Sequence, residues 1–218
     1  MSDYIKFLPA YLVKRYKGWR ATDFEENKAW YNKISNEGQK PSTMVISCCD
    51  SRIHVTSIFG ANSGDFFIHR NIANLVPPYN PDGDHHGTSA AVEYAVTTLK
   101  VSSIIIMGHS NCGGITSGYH LCNGFEDSAE NIFVDKWLKI LKPAFTKVLI
   151  DNKKLSDEKG IKILEKESIK TSIDNLIDFP FIKKSLEKNE LVIHGLWHDI
   201  ASGNIESLDP SSLKFLKV

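Results

Sequence analysis

Two short apolar runs, each ending abruptly in reactive side chains, restrict this chain more than anything else in its sequence. Residues 43–52 read T-M-V-I-S-C-C-D-S-R, and Met44-Val45-Ile46 has the unbroken apolar character of a strand buried on both faces. The run gives way at once to a thiol, an acid and a base: Cys48, Asp50 and Arg52. Residues 101–107 (V-S-S-I-I-I-M) form a second such run, followed by Gly108-His109-Ser110-Asn111-Cys112-Gly113-Gly114. In open α/β sheets, ligands bind beyond the carboxyl ends of the strands. Both clusters therefore lie where an α/β fold with a mainly parallel central sheet would place its chemistry. The two-residue gap between His109 and Cys112 lets them share one ion. With Cys48 they form a set of two cysteines and one histidine, a combination used by catalytic zinc that leaves a fourth tetrahedral position open.

The local geometry of the first cluster depends on how far the strand continues. If the backbone stays extended, side-chain alternation puts Cys48, Asp50 and Arg52 on one face and turns Cys49 and Ser51 away. Cys49, directly after the apolar run, is expected to be a small buried hydrophobe. Cys112 precedes Gly113-Gly114, which opens a helix, so the helix dipole favours its thiolate. The glycine-rich turn matches neither G-x-G-x-x-G nor the Walker pattern, which argues against nucleotide binding.

Composition excludes several classes of partner. The 26 basic and 26 acidic residues cancel, so no net field draws nucleic acid or an anionic membrane. No apolar run approaches the roughly 18 residues of a membrane span, and the N-terminus lacks the basic and long apolar regions of a secretory signal. Four cysteines in 218 residues make no disulfide framework. A reducing, cytoplasmic setting is expected. The length suits a single domain.

Along the chain, residues 1–36 carry Leu8, Tyr11, Leu12, Tyr16, Trp19, Phe24, Trp30 and Tyr31 at helical spacing, which predicts a helical arm. Its aromatic face packs either on this chain's own core or on a second subunit. Residues 37–218 form the α/β core. A second strand is expected at 66–70 and a self-bonded turn at Asn71-Ile72-Ala73-Asn74. The adjacent His85 and His86 lie in a polar loop and read as solvated. A helix follows from Thr88, capped by Thr88 or Ser89. Further helix is expected over 131–147 with a break at Pro143, then a charged linker or solvated helix start at 151–160. Helix interrupted near Phe179-Pro180 comes next, and a late strand at 191–197 precedes a turn at Gly203-Asn204. His194 and His198 read as strand residues rather than ligands.

The pair C-x-D-S-R (residues 48–52) and H-x-x-C-G-G (residues 109–114), with R-N-I-A-N (residues 70–74) between them, resembles the β-class carbonic anhydrases, over about residues 36–145. The resemblance implies one zinc ion per chain on Cys48, His109 and Cys112, and a hydrogen-bonded dyad of Asp50 and Arg52. It implies reversible hydration of carbon dioxide to bicarbonate and a proton by hydroxide generated at zinc. It also implies a homodimer or higher homo-oligomer with sites at the subunit boundary. Gln39, Phe67, Ile72 and Tyr94 fall on positions that line the carbon dioxide pocket in the plant-like branch, and Gly113 on its backbone donor. The other branch has a bicarbonate effector site built on a Trp, an Arg and a Tyr. Here Arg70 matches the Arg, but Val45 and His198 stand at the other two positions, which argues against that regulation. The competing functions are hydrolysis of carbon disulfide or carbonyl sulfide at the same site, a zinc-stabilised binding module without turnover, and a thiol redox protein. The absence of C-x-x-C weakens the last of these.

Overall fold

The structure, a computed structural model, describes residues 4–124, 131–151 and 156–218. The chain divides into two compact units, one ending at Lys40 and one beginning at Pro41.

The first unit contains helix α1 (Ala10–Trp19), a π-helical turn over Arg20–Phe24 and helix α2 (Lys28–Glu37). Trp19, Phe24 and Tyr31 form a ring cluster with centroid separations of 5.6, 5.9 and 5.2 Å. No residue of α1 or α2 is buried, and Tyr11, Leu12 and Tyr16 present apolar surface to solvent.

The second unit is built on a six-stranded sheet. Strand β1 (Thr43–Cys48) leads to the single helical turn α3 (Val55–Ile58), then β2 (Phe66–Asn71) and a tight turn over Ile72–Asn74. Helix α4 (His86–Glu93) runs on as a π-helical turn, Tyr94–Thr98, into β3 (Ser103–His109). Helices α5 (Gly113–Cys122), α6 (Ile132–Leu138), α7 (Lys142–Asp151), α8 (Asp157–Ile177) and α9 (Pro180–Glu187) precede the last strands. These are β4 (Val192–His198), β5 (Ile205–Leu208) and β6 (Phe215–Lys217). The order is β2-β1-β3-β4-β5-β6; the first four strands are parallel neighbours and the last two join antiparallel. The expected α/β architecture, a mainly parallel sheet flanked by helices, is what forms.

The reason is visible at the centre. Met44, Val45 and Ile46 on β1 and Ile104 and Ile106 on β3 are completely buried, with Met44 opposite Ile104 and Ile46 opposite Ile106. Fully burying each such side chain is worth about 1.5–3 kcal/mol, and only helices on both faces can achieve it. α8 supplies one cover: Ile169 lies so near Gly108 and Gly195 that a Cβ at either glycine would come within 2.8 and 3.1 Å of it. None of the helices in the described residues is long and apolar enough to cross a membrane.

Several local expectations change. α4 begins at His86, so Thr88 lies inside it and caps nothing. Its hydroxyl instead meets His69 Nε2 at 3.0 Å and Asn71 Nδ2 at 3.2 Å. Ser89 likewise donates back to the His85 carbonyl, the ordinary habit of a serine inside a helix. The turn after β2 is self-bonded through Asn71, whose amide accepts from Leu75 N–H and donates to Leu75 C=O. The break expected at Pro143 falls just before it, leaving the proline in the first turn of α7 where its missing N–H costs nothing. Residues 152–155 of the expected charged linker lie outside the described residues.

Candidate metal centre

β1 and β3 are adjacent and parallel, so their carboxyl ends open side by side. Cys48 is the last residue of β1 and His109 the last of β3, while Cys112 is the N-cap of α5 three residues later. All three are buried. Their ligand atoms lie within 4.8 Å of one another, and the two sulfurs are 3.8 Å apart.

The chemistry of these donors fits a cation. His109 Nδ1 donates to the Ser110 carbonyl at 2.9 Å, which fixes the tautomer and leaves the Nε2 lone pair free. That Nε2 is buried without a hydrogen-bond partner among the described residues, a costly condition unless something else satisfies it. The two sulfurs are in hydrogen-bond contact, and either can be the donor. The S–H···S contact with Cys112 drives Cys48 down towards thiolate against the effect of burial. The same contact and burial push Cys112 up. A divalent cation would take the place of the proton in that contact. Burial pulls His109 down, but Cys48, the Ser110 carbonyl and Asp50 outweigh it and raise the imidazole.

Asp50 and Arg52 meet beside the cluster, though not by strand alternation. β1 ends at Cys48 and the chain turns, so Cys49 is exposed rather than a buried hydrophobe. Asp50 Oδ1 accepts from Arg52 N–H at 2.9 Å, closing a local turn that the extended reading did not foresee. Arg52 Nε donates to Oδ1 at 2.9 Å and Nη2 to Oδ2 at 2.6 Å, a two-pronged contact. The guanidinium holds the Asp50 carboxyl well below the usual carboxylate range. Oδ2 also lies 3.9 Å from His109 Nε2, so the carboxylate stands at the edge of the donor cluster.

The loops themselves are tied down. Arg70 donates to the carbonyls of Cys48, Asp50 and Ile53 at 2.9, 2.8 and 2.9 Å. Asn111, at φ 54°, adopts the left-handed conformation asparagine tolerates best among residues with a Cβ, and its carbonyl accepts from Arg52 Nη2 at 2.9 Å. Ser110 Oγ donates to Asp199 Oδ1 and accepts from Ile200 N–H. The sequence reading did not find Glu165. It lies on α8 with 2% exposure, accepting from Cys112 N–H at 3.4 Å and Trp197 Nε1 at 3.3 Å. Burial pushes its carboxyl up, and the donors at Cys112, Asn111 and Trp197 pull against that. Within a run as charged as 157–167, the only sign was its place beside Leu164, on the face that also carries Ser168 and Ile169.

The other expected site residues fall into separate groups. Phe67 and Tyr94 are in ring contact, centroids 5.9 Å apart. Ile72 borders a cavity of about 400 Å³ together with Cys49, His69, Asn71 and His85; neither Phe67 nor Tyr94 is part of its wall. His85 packs edge-on against Trp137 at 5.3 Å and is partly covered, whereas His86 is exposed as the loop reading required. Gly113 is the first residue of α5, and Gln39 belongs to the unit that ends at Lys40.

Gly114 packs against the 72–74 turn: a Cβ there would lie 2.8 Å from Ile72 Cγ2 and 3.0 Å from Ala73 Cβ. Gly114→Ala is expected to destabilise the protein by about 1–3 kcal/mol, the usual cost of overpacking. Thermal unfolding checks this, and an unchanged or higher Tm would contradict the tight contact.

Comparison with known proteins points one way. The family model described as carbonic anhydrase matches residues 43–205. The chain is 35% identical over 188 residues to beta carbonic anhydrase 3 of Arabidopsis thaliana, covering 86% of this chain and 72% of that protein. Among solved structures, the β-carbonic anhydrase CcaA superposes with a TM-score of 0.88 at 30% identity, over 95% of this chain and 91% of that one. A structure from a report on two tetrameric β-carbonic anhydrases of Sordaria macrospora gives a TM-score of 0.78 at 30% identity, over 91% of this chain and 95% of that one.

Proposed function

We propose that this chain, which belongs to the β-class carbonic anhydrase family, hydrates carbon dioxide reversibly using zinc held by Cys48, His109 and Cys112. The observation that carries the reading is the convergence of two buried sulfurs and an unpartnered imidazole nitrogen beside a carboxylate locked to an arginine. Zinc bound there would act as a Lewis acid that yields hydroxide from water near neutral pH, as established for carbonic anhydrases with three histidine ligands.

The chain's own residues do the rest. Two thiolates neutralise the ion more than imidazoles would, so orientation must offset weaker acidification. Asp50, held ionised and acceptor-only by Arg52, would accept a hydrogen bond from an oxygen nucleophile beside it and so orient the lone pair of that oxygen towards carbon. Gly113, at the first position of α5, offers a backbone N–H that the helix itself does not use. Gln39, Phe67, Ile72 and Tyr94 enter the proposal as substrate-binding residues from the family resemblance alone; within one chain Phe67 and Tyr94 pair with each other, away from the cavity that Ile72 borders. A homo-oligomer is part of this proposal. The uncovered faces of α1 and α2 support it, as do the tetrameric relatives from Sordaria macrospora. Arg70 is committed to three carbonyls and Val45 is fully buried, which supports a site without a bicarbonate effector.

Stopped-flow assay of the zinc-loaded chain tests the function. Carbon dioxide hydration should be lost on chelation, return with zinc, and show no sigmoidal response to bicarbonate. Metal content without hydration would favour a binding module, and preferential turnover of carbon disulfide would move the reading to that substrate.

A further inference from the structure

The Asn111–Cys112 peptide is gripped from both sides. Its carbonyl accepts from Arg52 Nη2 at 2.9 Å, and its N–H donates to Glu165 Oε1 at 3.4 Å. A trans peptide is rigid and planar, with its C=O and N–H pointing in opposite directions, so whatever fixes one end fixes the other. The residue on its amino side, Asn111, has a φ of 54°, and the residue on its carboxyl side, Cys112, is extended at φ −72° and ψ 116°. Rotation of this one plane would swing the Cys112 sulfur and also withdraw the acceptor that orients Arg52.

We infer that Glu165 is a positioning residue for the metal centre: from α8 it fixes the Asn111–Cys112 peptide plane, and through it both the Cys112 sulfur and the Arg52 acceptor. The inference rests on the proposed zinc site. Its chemistry is specific to a carboxylate. The partners of Glu165, backbone N–H groups at Cys112 and Asn111 on the one hand and the indole N–H of Trp197 on the other, can only donate. An acceptor-only side chain satisfies both at once. An amide in its place must turn its NH₂ towards one of them, setting donor against donor. Trp197 itself is held from the other side, with Lys166 Nζ 4.4 Å over its ring, so it does not simply swing clear.

The prediction separates Glu165's role from mere packing. Glu165→Met keeps length and fills the space but accepts from neither donor. Zinc affinity, measured by competition with a chromophoric chelator, is expected to fall about 10- to 100-fold, the range typical for groups that orient metal ligands. The sulfur-to-metal absorption bands of the cobalt(II)-substituted protein should shift. Glu165→Gln should weaken zinc binding in the parent chain, whereas Glu165→Gln combined with Trp197→Phe should bind zinc as tightly as Trp197→Phe alone. Removing the indole donor frees the amide to turn its oxygen to Cys112. If Glu165→Met fails to fold, the pair of glutamine comparisons carries the test. Parent-like affinity and parent-like cobalt spectra in the Glu165 variants overturn the inference, as does a glutamine defect that Trp197→Phe leaves uncorrected. A parent chain that binds no zinc, or binds it without hydrating carbon dioxide, instead overturns the proposed function.

Discussion

Cys48→Ala is expected to abolish zinc retention and carbon dioxide hydration together, and His109→Ala to do the same. Among the described residues the cluster has three donors, two of them thiols, and removing one leaves too few strong ligands to hold the ion. Loss of the ion should also lower stability. A ligand present at 1,000 times its Kd stabilises the folded state by about 4.1 kcal/mol. For a chain of this size each kcal/mol shifts Tm by about 2–4 °C. The parent should therefore melt ~8–16 °C higher with zinc than with chelator, and in Cys48→Ala that gap should close. Elemental analysis, the hydration assay and the two melting curves are independent readouts. A Cys48→Ala protein that still binds one equivalent of zinc would show that the metal lies elsewhere.

The second large effect leaves the metal in place. Asp50→Ala should keep zinc and lose most of its activity, about 10²- to 10⁴-fold in kcat/KM, the span over which positioned proton-handling groups act. Asp50→Asn should fare little better, because its NH₂ would face the Arg52 donors that now meet two carboxylate oxygens. The pH dependence has a definite sign. The folded-state pKa of Asp50 is depressed, so its charge and the stability it confers are present above the ordinary aspartate pKa of ~3.9 and vanish only as pH falls through the lower folded value. No limb of the rate profile at neutral pH should belong to Asp50, and the profile of Asp50→Asn should keep its shape while dropping in height. A variant with full activity would remove the dyad from the mechanism.

How much of this was legible in the sequence depends on the range of the interactions. The convergence of Cys48 and His109 could be read because each follows a run that only a central strand would carry: Met44-Val45-Ile46 before Cys48 and Ile104-Ile105-Ile106 before His109. Burial pattern and strand-end chemistry are local properties. The Asp50–Arg52 pairing was legible as a pairing but not as a geometry, because a two-residue Asx-type turn competes with continued strand and wins once Cys48 closes the ladder. The same competition exposed Cys49. Thr88 caps nothing because α4 starts two residues earlier, at His86, and its hydroxyl meets His69 and Asn71 of β2 instead. Glu165 is the clearest limit. It lies 53 residues from Cys112 in a helix dense with charge, and only the packing of α8 on β3 and β4 sets it apart from Glu158, Glu167 or Lys162.

One consequence follows from where the cysteines sit. Cys48 and Cys112 are 64 residues apart and meet only because β1 lies beside β3. An unfolded chain offers the ion no ready-made cage, so zinc cannot seed this fold in the way it seeds a small finger domain. Bound there, it would be a latch on a seam already sewn, joining β1 and β3, the inner pair of the four parallel strands, at their carboxyl ends. Parting those strands would first require letting the ion go, so the slowest-exchanging amides should belong to the same pair of strands that carries the chemistry.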